Sequence, residues 1–439
     1  MGEAPLQIID GDRGKNYPGQ TEFAPEGHCL FLNAGNVTAL GFDFSDCAFI
    51  SEERDNLLRK GKLQRNDIVL TTRGTVGNVA YFDSSVPYEH IRINSGMVIV
   101  RTSTQELSPR YLYSLLRSDL FQKQVRALVS GSAQPQLPIR DINKIEIPIP
   151  PNHDQHRVVS VLGALDDRIT MLARHSVVLE QIAHAVFKSW FVDFDPVRAK
   201  AEGREPEGMD AAAAALFPSE FQETERGPIP NGWSISTIGQ TVNVVDCLHS
   251  KKPERTERGK PFLQLSNICG NGIVDMSDTY HISDADYEKW ISRIEASPGD
   301  CVITNVGRVG AVAQIPAGVN AALGRNMTGL RCKENFRFPT FLIELMMSGA
   351  MREEISLKTD SGTILDSLNV RSIPRLRFVR PSDQMLQYFE TTCRPLRARM
   401  EVGCEQSRTL TEVRDTLLPR LVSGSLRVPE AVKLVEAVV

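Results

Sequence analysis

Apolar positions along the chain follow two rhythms. Short runs rich in β-branched residues, such as 67–72 and 95–101, are bounded by glycine turns and read as strands. Longer stretches place apolar residues three and four apart and read as helices. Ser108 is a suitable N-cap with Pro109 at the first helical position, and Leu112, Leu115, Leu116 and Phe121 follow at helical spacing. Pro339 opens a matching stretch with Phe341, Leu342, Leu345 and Met346. Two further helices are much longer. In the first, Leu162, Leu165, Ile169, Leu172, Leu179, Ala183, Val186 and Trp190 hold a and d positions of a heptad, with Ser176 as the polar exception. Residues 156–192 would then form a helix of about 55 Å. In the second, Met400, Leu410, Leu417 and Leu421 hold equivalent places and Ser407 repeats the serine, while Cys393, Gly403 and Arg414 weaken the seam. This register predicts two helices lying on each other as a coiled coil. Two separate amphipathic helices, each packed on its own domain, remain the alternative.

The same pattern occurs twice. Asn66-Asp-Ile-Val-Leu-Thr-Thr-Arg-Gly-Thr-Val-Gly-Asn-Val-Ala80 matches Gly299-Asp-Cys-Val-Ile-Thr-Asn-Val-Gly-Arg-Val-Gly-Ala-Val-Ala313. Asn94 has a counterpart in Asn326, and Ser130-Gly-Ser-Ala-Gln-Pro-Gln-Leu-Pro-Ile139 in Ser361-Gly-Thr-Ile-Leu-Asp-Ser-Leu-Asn-Val370. The offset stays at about 231 residues, so the chain holds two copies of one unit. Gly74 and Gly77, like Gly307 and Gly310, fall between two strand runs and predict a turn with positive φ. No Gly-Lys-Ser/Thr follows, so the turns are not phosphate cradles. The proline-rich stretch 195–230, with an alanine run at 211–215, reads as a linker holding one short helix. The first copy opens inside the counterpart of Val242 to Asp246 and lacks the Gly232-Trp233 that opens the second, so it is expected to be less stable than its twin.

Composition adds limits. An apolar fraction of 41% and a charged fraction of 24% suit a globular chain with real cores. No apolar run approaches the roughly 20 residues that span a bilayer, and no secretory signal is visible, so a cytoplasmic location without membrane contact is expected. None of the eight cysteines forms Cys-x-x-Cys, and His153-x-x-His156 has no third ligand in view; no metal is expected. The net charge of −4 does not advertise a nucleic-acid binder. Charge is local, however: Arg54, Arg59, Lys60, Lys62, Arg65 and Arg73 fall in one short stretch.

Phe187-Lys-Ser-Trp-Phe-Val-Asp-Phe-Asp-Pro-Val-Arg-Ala-Lys200 resembles the central region of specificity subunits of type I restriction-modification systems. Leu417-Leu-Pro-Arg-Leu-Val-Ser-Gly-Ser-Leu-Arg427 resembles their C-terminal region, and Gly227-Pro-Ile-Pro-Asn-Gly-Trp233 the opening of their second recognition domain. The resemblance implies a mixed α/β (α+β) chain with two tandem-repeat DNA target recognition domains separated by a pair of long antiparallel coiled-coil helices. Residues 1–151 would be the first recognition domain, 152–194 the central spacer helix and 195–230 a linker. Residues 231–382 would be the second domain, 383–426 the second spacer helix and 427–439 a tail. Each domain would read half of a bipartite double-stranded DNA site. The helices would dock two modification (methyltransferase) subunits, and restriction (translocase/nuclease) subunits would join them. The chain itself would be non-catalytic and hold no cofactor; S-adenosylmethionine belongs to the modification partner. Docking on basic partners would leave much of the phosphate neutralisation to them.

The residues that read DNA follow from chemistry alone: base edges in the major groove call for Arg, Lys, Asn, Gln, Ser or Thr on protruding turns. The candidates in the first copy are Arg13, Lys15, Asn16, Tyr17, Thr72, Arg73, Thr75, His90, Arg92, Asn94, Ser132, Gln134 and Gln136. In the second they are Lys251, Lys252, Arg255, Asn305, Arg308, Arg325, Asn326 and Thr363. Arg73 and Arg308 lie on matching turns but out of register, as two readers of different sequences would. Two other classes stay in view. A single-chain methyltransferase or nuclease lacks its motifs here, since Asp195-Pro-Val-Arg198 has no second proline or aromatic. A scaffold that joins partners through its helices without touching DNA fits the negative charge.

Overall fold

The computed structural model describes residues 1–102, 106–131, 134–225, 227–268, 270, 272–360 and 366–436. The chain divides into two compact units, Met1–Arg174 with Glu405–Val439, and His175–Cys404. In the first, a four-stranded antiparallel sheet runs in the order Leu6–Asp10, Met97–Thr102, Ile68–Thr71, Val79–Tyr81. A smaller sheet orders Phe49–Ile50, Cys29–Leu32 and Ile91–Ile93, the last two parallel. Alternation along a strand sends successive side chains to opposite faces. Val69 and Ile99 therefore pack toward Leu30, Leu32, Ile91 and Ile93 of the small sheet. Their neighbours Ile68, Leu70, Val98 and Val100 pack toward Leu112, Leu115, Leu116 and Phe121 on the helices, and beyond them Leu162, Leu165 and Ile169.

The second unit repeats this order with Val242–Asp246, Met327–Cys332, Cys301–Thr304 and Val312–Gln314. Its smaller sheet again holds a parallel pair, Lys260–Leu263 beside Ala321–Leu323. The pairings Ile8↔Val100 and Val244↔Leu330 sit at matching positions, so Leu6–Asp10 is the counterpart of Val242–Asp246, with all five residues paired. Supporting contacts are duplicated as well. Arg101 meets Asp67 at 2.7 Å and Arg331 meets Asp300 at 2.5 Å. The Asn36 and Asn267 amides each close an equivalent loop on a backbone carbonyl, Asp43 at 3.0 Å and Asp275 at 2.8 Å. Ser108 caps Pro109–Arg117 with Pro109 at its first turn, as expected. Helix Pro339–Met347 lacks a side-chain cap of its own; Glu390 supplies one, accepting the N–H groups of Thr340 and Phe341 at 2.7 and 2.9 Å.

Residues 195–230 do more than link. They form helices Asp195–Ala201 and Ala211–Leu216 and a hairpin of Phe221–Thr224 with Gly227–Pro230. Val197, Phe217 and Ile229 enter the same core as Trp190, Trp233 and Phe389, because five aromatic residues between 187 and 217 need burial. The long helices span Asn152–Phe191 and Asp383–Val422, each 40 residues. In the second unit Ser176 hydrogen-bonds Cys404 while Phe187 packs on Phe389, so the two stretches there run in opposite directions. Leu162, Leu165, Ile169, Leu172, Trp190, Met400, Leu410, Leu417 and Leu421 are buried. Leu179 is half-buried, and so is Val186, whose expected place is taken by Phe187. A straight helix drifts about 20° per heptad against a strict seven-residue repeat, which turns the buried face onto the next residue. Among the described residues no helix is long and apolar enough to cross a membrane.

Candidate nucleic-acid interface

In the first unit, several connections at one end of the large sheet hold one another. The loop after Leu6–Asp10 is organised by Asp12, whose carboxylate accepts the N–H groups of Gly14 and Arg59, each at 2.7 Å. Those bonds keep its pKa below the ordinary carboxylate value. Asn16 donates to the Leu57 carbonyl at 3.1 Å. Arg13 reaches the Asp10 carboxylate at 3.1 Å and the Ser95 carbonyl at 3.2 Å. The Arg73 N–H donates to the Gly96 carbonyl at 3.1 Å, and its backbone bridges to Gln136, which also pairs with Ser130. Asn94 accepts the Gly96 N–H at 2.8 Å. These bonds bring Arg13, Lys15, Asn16, Tyr17, Arg73, Thr75, Asn94, Gln134 and Gln136 into one neighbourhood. Gly74 and Gly77 carry φ of +73° and +97°, and the matching Gly307 and Gly310 carry +87° and +77°, as their turn requires.

Three members of the first set leave it. Arg92 is 5% exposed and grips the fully buried Asp55, donating also to the carbonyls of Lys60 at 2.7 Å and Leu58 at 3.0 Å. Burial pushes the Asp55 pKa up, but Lys62 and Arg92 outweigh it and leave it lowered. Four of its five N–H groups are spent inside the unit, and its burial keeps it from a base edge. Thr72 is buried, and its carbonyl accepts the Leu137 N–H at 2.9 Å. His90 lies at the opposite end of the small sheet, stacked on His28 at 4.4 Å between ring centres. Ser132 and Thr363 lie outside the described residues.

In the second unit the corresponding loops meet in the same way. The Asn305 N–H donates to the Asn326 carbonyl at 2.8 Å, and the Gly324 N–H to the Leu263 carbonyl at 2.9 Å. Lys252 donates to Gln264 at 2.6 Å and lies 4.2 Å over the Tyr280 ring. Arg255 pairs with Asp278 at 3.1 Å and also faces Tyr280. Arg308 is exposed, and its Nη2 donates to the Leu265 and Ile268 carbonyls, at 2.9 and 2.8 Å. That nitrogen ties a loop down, while Nε and Nη1 take no part in those bonds. Asn305 is 6% exposed, bonded to the Leu368 carbonyl at 3.1 Å and the Thr328 hydroxyl at 2.9 Å, and is therefore a scaffold residue. Lys251 and Arg325 are exposed, with no side-chain partner among the described residues.

Comparison with known proteins places this geometry. The type I restriction enzyme HindI specificity subunit of Haemophilus influenzae is 23% identical over 462 aligned positions, covering 95% of this chain and 98% of that one. Residues 8–181 match the family model described as type I restriction modification DNA specificity domain. The chain is similar to type I specificity subunits along nearly its whole length, and its first part carries their DNA specificity domain. The MjaIX specificity subunit of Methanocaldococcus jannaschii is 26% identical over 376 positions, covering 83% of this chain and 79% of that one. The fold is that of a solved S subunit from M. genitalium, with TM-score 0.50 at 16% identity over 95% of this chain and 93% of that one.

The charge run at 54–73 sorts itself by partner. Arg54 pairs with Glu22, Lys62 with Asp55, and Arg65 lies over Phe82 and donates to loop carbonyls. Arg59, Lys60 and Arg73 remain exposed without a side-chain partner among the described residues. Arg59 and Lys60 were absent from the candidates, although Asp12 holds them beside Arg13 and Lys15. Tyr280, a platform for two cations, was missed too; its one signal was an aromatic on a strand next to a lysine-rich loop.

Proposed function

We propose that each unit reads one half of a bipartite double-stranded DNA site through these loops, as part of a type I restriction-modification complex. A DNA sequence-specificity role within such a complex belongs to the family. One observation carries the assignment to these loops: scaffold contacts are repeated in both copies, while the exposed side chains on the same loops differ. Asp67–Arg101 and Asp300–Arg331, or Thr71 and Thr304, do the same job twice. Thr75 and Arg308, at one turn position, do not. A fixed frame with variable tips suits a reader of two different sequences. Arg13, Lys15, Arg59, Lys60 and Arg73 would serve the first half-site, and Lys251, Lys252, Arg255 and Arg325 the second. An arginine fork would take guanine and the lysines mainly phosphate.

The long helices would act as a coiled-coil spacer and as the docking face for two modification subunits, with restriction subunits joining them. S-adenosylmethionine would be bound by the modification partner, in the cytoplasm, and this chain would contribute no bond-making group. The test is methylation by the chain assembled with its modification subunit. A bipartite adenine-methylated site that disappears when this chain is omitted supports the proposal. Methyl transfer by this chain alone refutes it.

A further inference from the structure

Within the unit formed by Met1–Arg174 and Glu405–Val439, Leu162, Leu165, Ile169 and Leu172 share one apolar cluster with Leu410, Leu417 and Leu421. Asp166 and Arg414 interrupt that seam. They are 1% and 6% exposed, and Nη1 of Arg414 donates to Oδ1 of Asp166 at 3.1 Å. The same guanidinium donates from Nε and Nη2 to Asp415, at 3.1 and 3.0 Å, and from Nη2 to the Arg117 carbonyl at 3.4 Å. Asp415 in turn accepts the N–H of Asp119, the first residue of helix Asp119–Leu128. One side chain therefore ties both long helices to the end of Pro109–Arg117 and the start of the next helix. Oδ2 of Asp166 has no hydrogen-bond partner among the described residues.

Stability does not explain such a pair, because well-packed apolar residues of similar volume generally do as well or better. Discrimination does. Leucines recur along the seam, so a helix slid by one heptad still lays leucine on leucine; the slide would leave Asp166 and Arg414 apart, each buried and unpaired. The duplication sharpens this. At an offset of about 231 residues, Asp166 corresponds to Arg397 and Arg414 to Ala183. Arg397 is also buried, but Glu344 of its own unit answers it at 3.1 Å and the Gly272 carbonyl at 2.7 Å. The Asp166–Arg414 pair is thus absent from the second copy and marks one register.

We propose that Arg414 and Asp166 are positioning residues that set the register of the second long helix on the first, and thereby the length of the unread gap between half-sites. This rests on the proposed function. The test uses the complex assembled with its modification subunit, on a DNA library in which both half-sites are kept and the gap varies. The variants are Asp166→Leu/Arg414→Met together and Asp166→Asn alone, the second retaining shape and an acceptor should the first fail to fold. A slide of one heptad moves a helix by about 10 Å, roughly three base pairs of B-DNA. The double variant is therefore expected to read the parental half-sites with at least a tenfold loss of preference for the parental gap over gaps about three base pairs longer or shorter. Asp166→Asn, which keeps the acceptor for Arg414, should retain that preference. In the double variant the melting temperature should be unchanged or higher. Parental gap preference in the double variant, or its loss in Asp166→Asn, overturns the proposal. A wild-type complex that methylates no bipartite site overturns the functional reading instead, and the positioning role with it.

Discussion

Arg92→Met tests whether an arginine flanked by isoleucines on a strand serves the interior or the DNA. The substitution keeps an apolar stem and removes a guanidinium bonded to Asp55 and to the Lys60 and Leu58 carbonyls. Breaking a buried pair costs about 3–5 kcal/mol when the remaining charge is stranded. Here Lys62 still reaches Asp55, and His28 lies 3.5 Å from it, so the lower end applies, about 3 kcal/mol. That corresponds to roughly 100-fold faster amide exchange where exchange follows local opening. The assay is hydrogen exchange of peptides covering 52–63 and 91–93. Trp190, Trp233 and Trp290 all lie in the second unit, so tryptophan fluorescence supplies an internal control that should not move. Wild-type exchange, combined with a methylated site degenerate at one position, would mean that Arg92 reads a base and refute its role in the interior.

Other consequences follow from named contacts. Glu390→Ala removes the cap on Pro339–Met347 and should lower the second unit's stability by about 1–2 kcal/mol in denaturant titration followed by tryptophan fluorescence, whereas Glu390→Gln keeps an acceptor and should cost less. Lys60→Ala should weaken binding of the assembled complex to all sequences alike and lower the slope of log affinity against log salt by about one. The Glu344 hydrogen bond raises the His184 pKa above 6.5. The stability it contributes is therefore complete below that value and lost as pH rises through the folded-state pKa. His184→Gln should flatten the pH dependence of second-unit unfolding between about pH 6 and 8.

Much of this was legible because duplication offers each pattern twice. Asn66 to Ala80 and Gly299 to Ala313 predicted a strand, a glycine turn and a strand, and both are present. What escaped was the fate of polar side chains on those frames. In Ile91–Ile93 the arginine alternates away from the two isoleucines, and only the position of helix Glu52–Leu57 shows that this second face is covered too. Arg308 sits on an exposed turn, yet two carbonyls from a loop some forty residues away accept from its Nη2. Neither partner is close in sequence, so spacing carries no trace of it. Prolines made 195–230 look like a linker, while Phe217, Phe221 and Ile229 were the signal that the segment packs.

The central claim is that the two units read separate halves of one site. Mapping methylated adenines made by complexes carrying Arg73→Ala or Arg325→Ala tests it most directly. Each substitution should relax one position of one half-site, the two affecting opposite halves, at a cost of roughly 1–3 kcal/mol in discrimination. Relaxation of the same half by both, or an unchanged site in both, would contradict it.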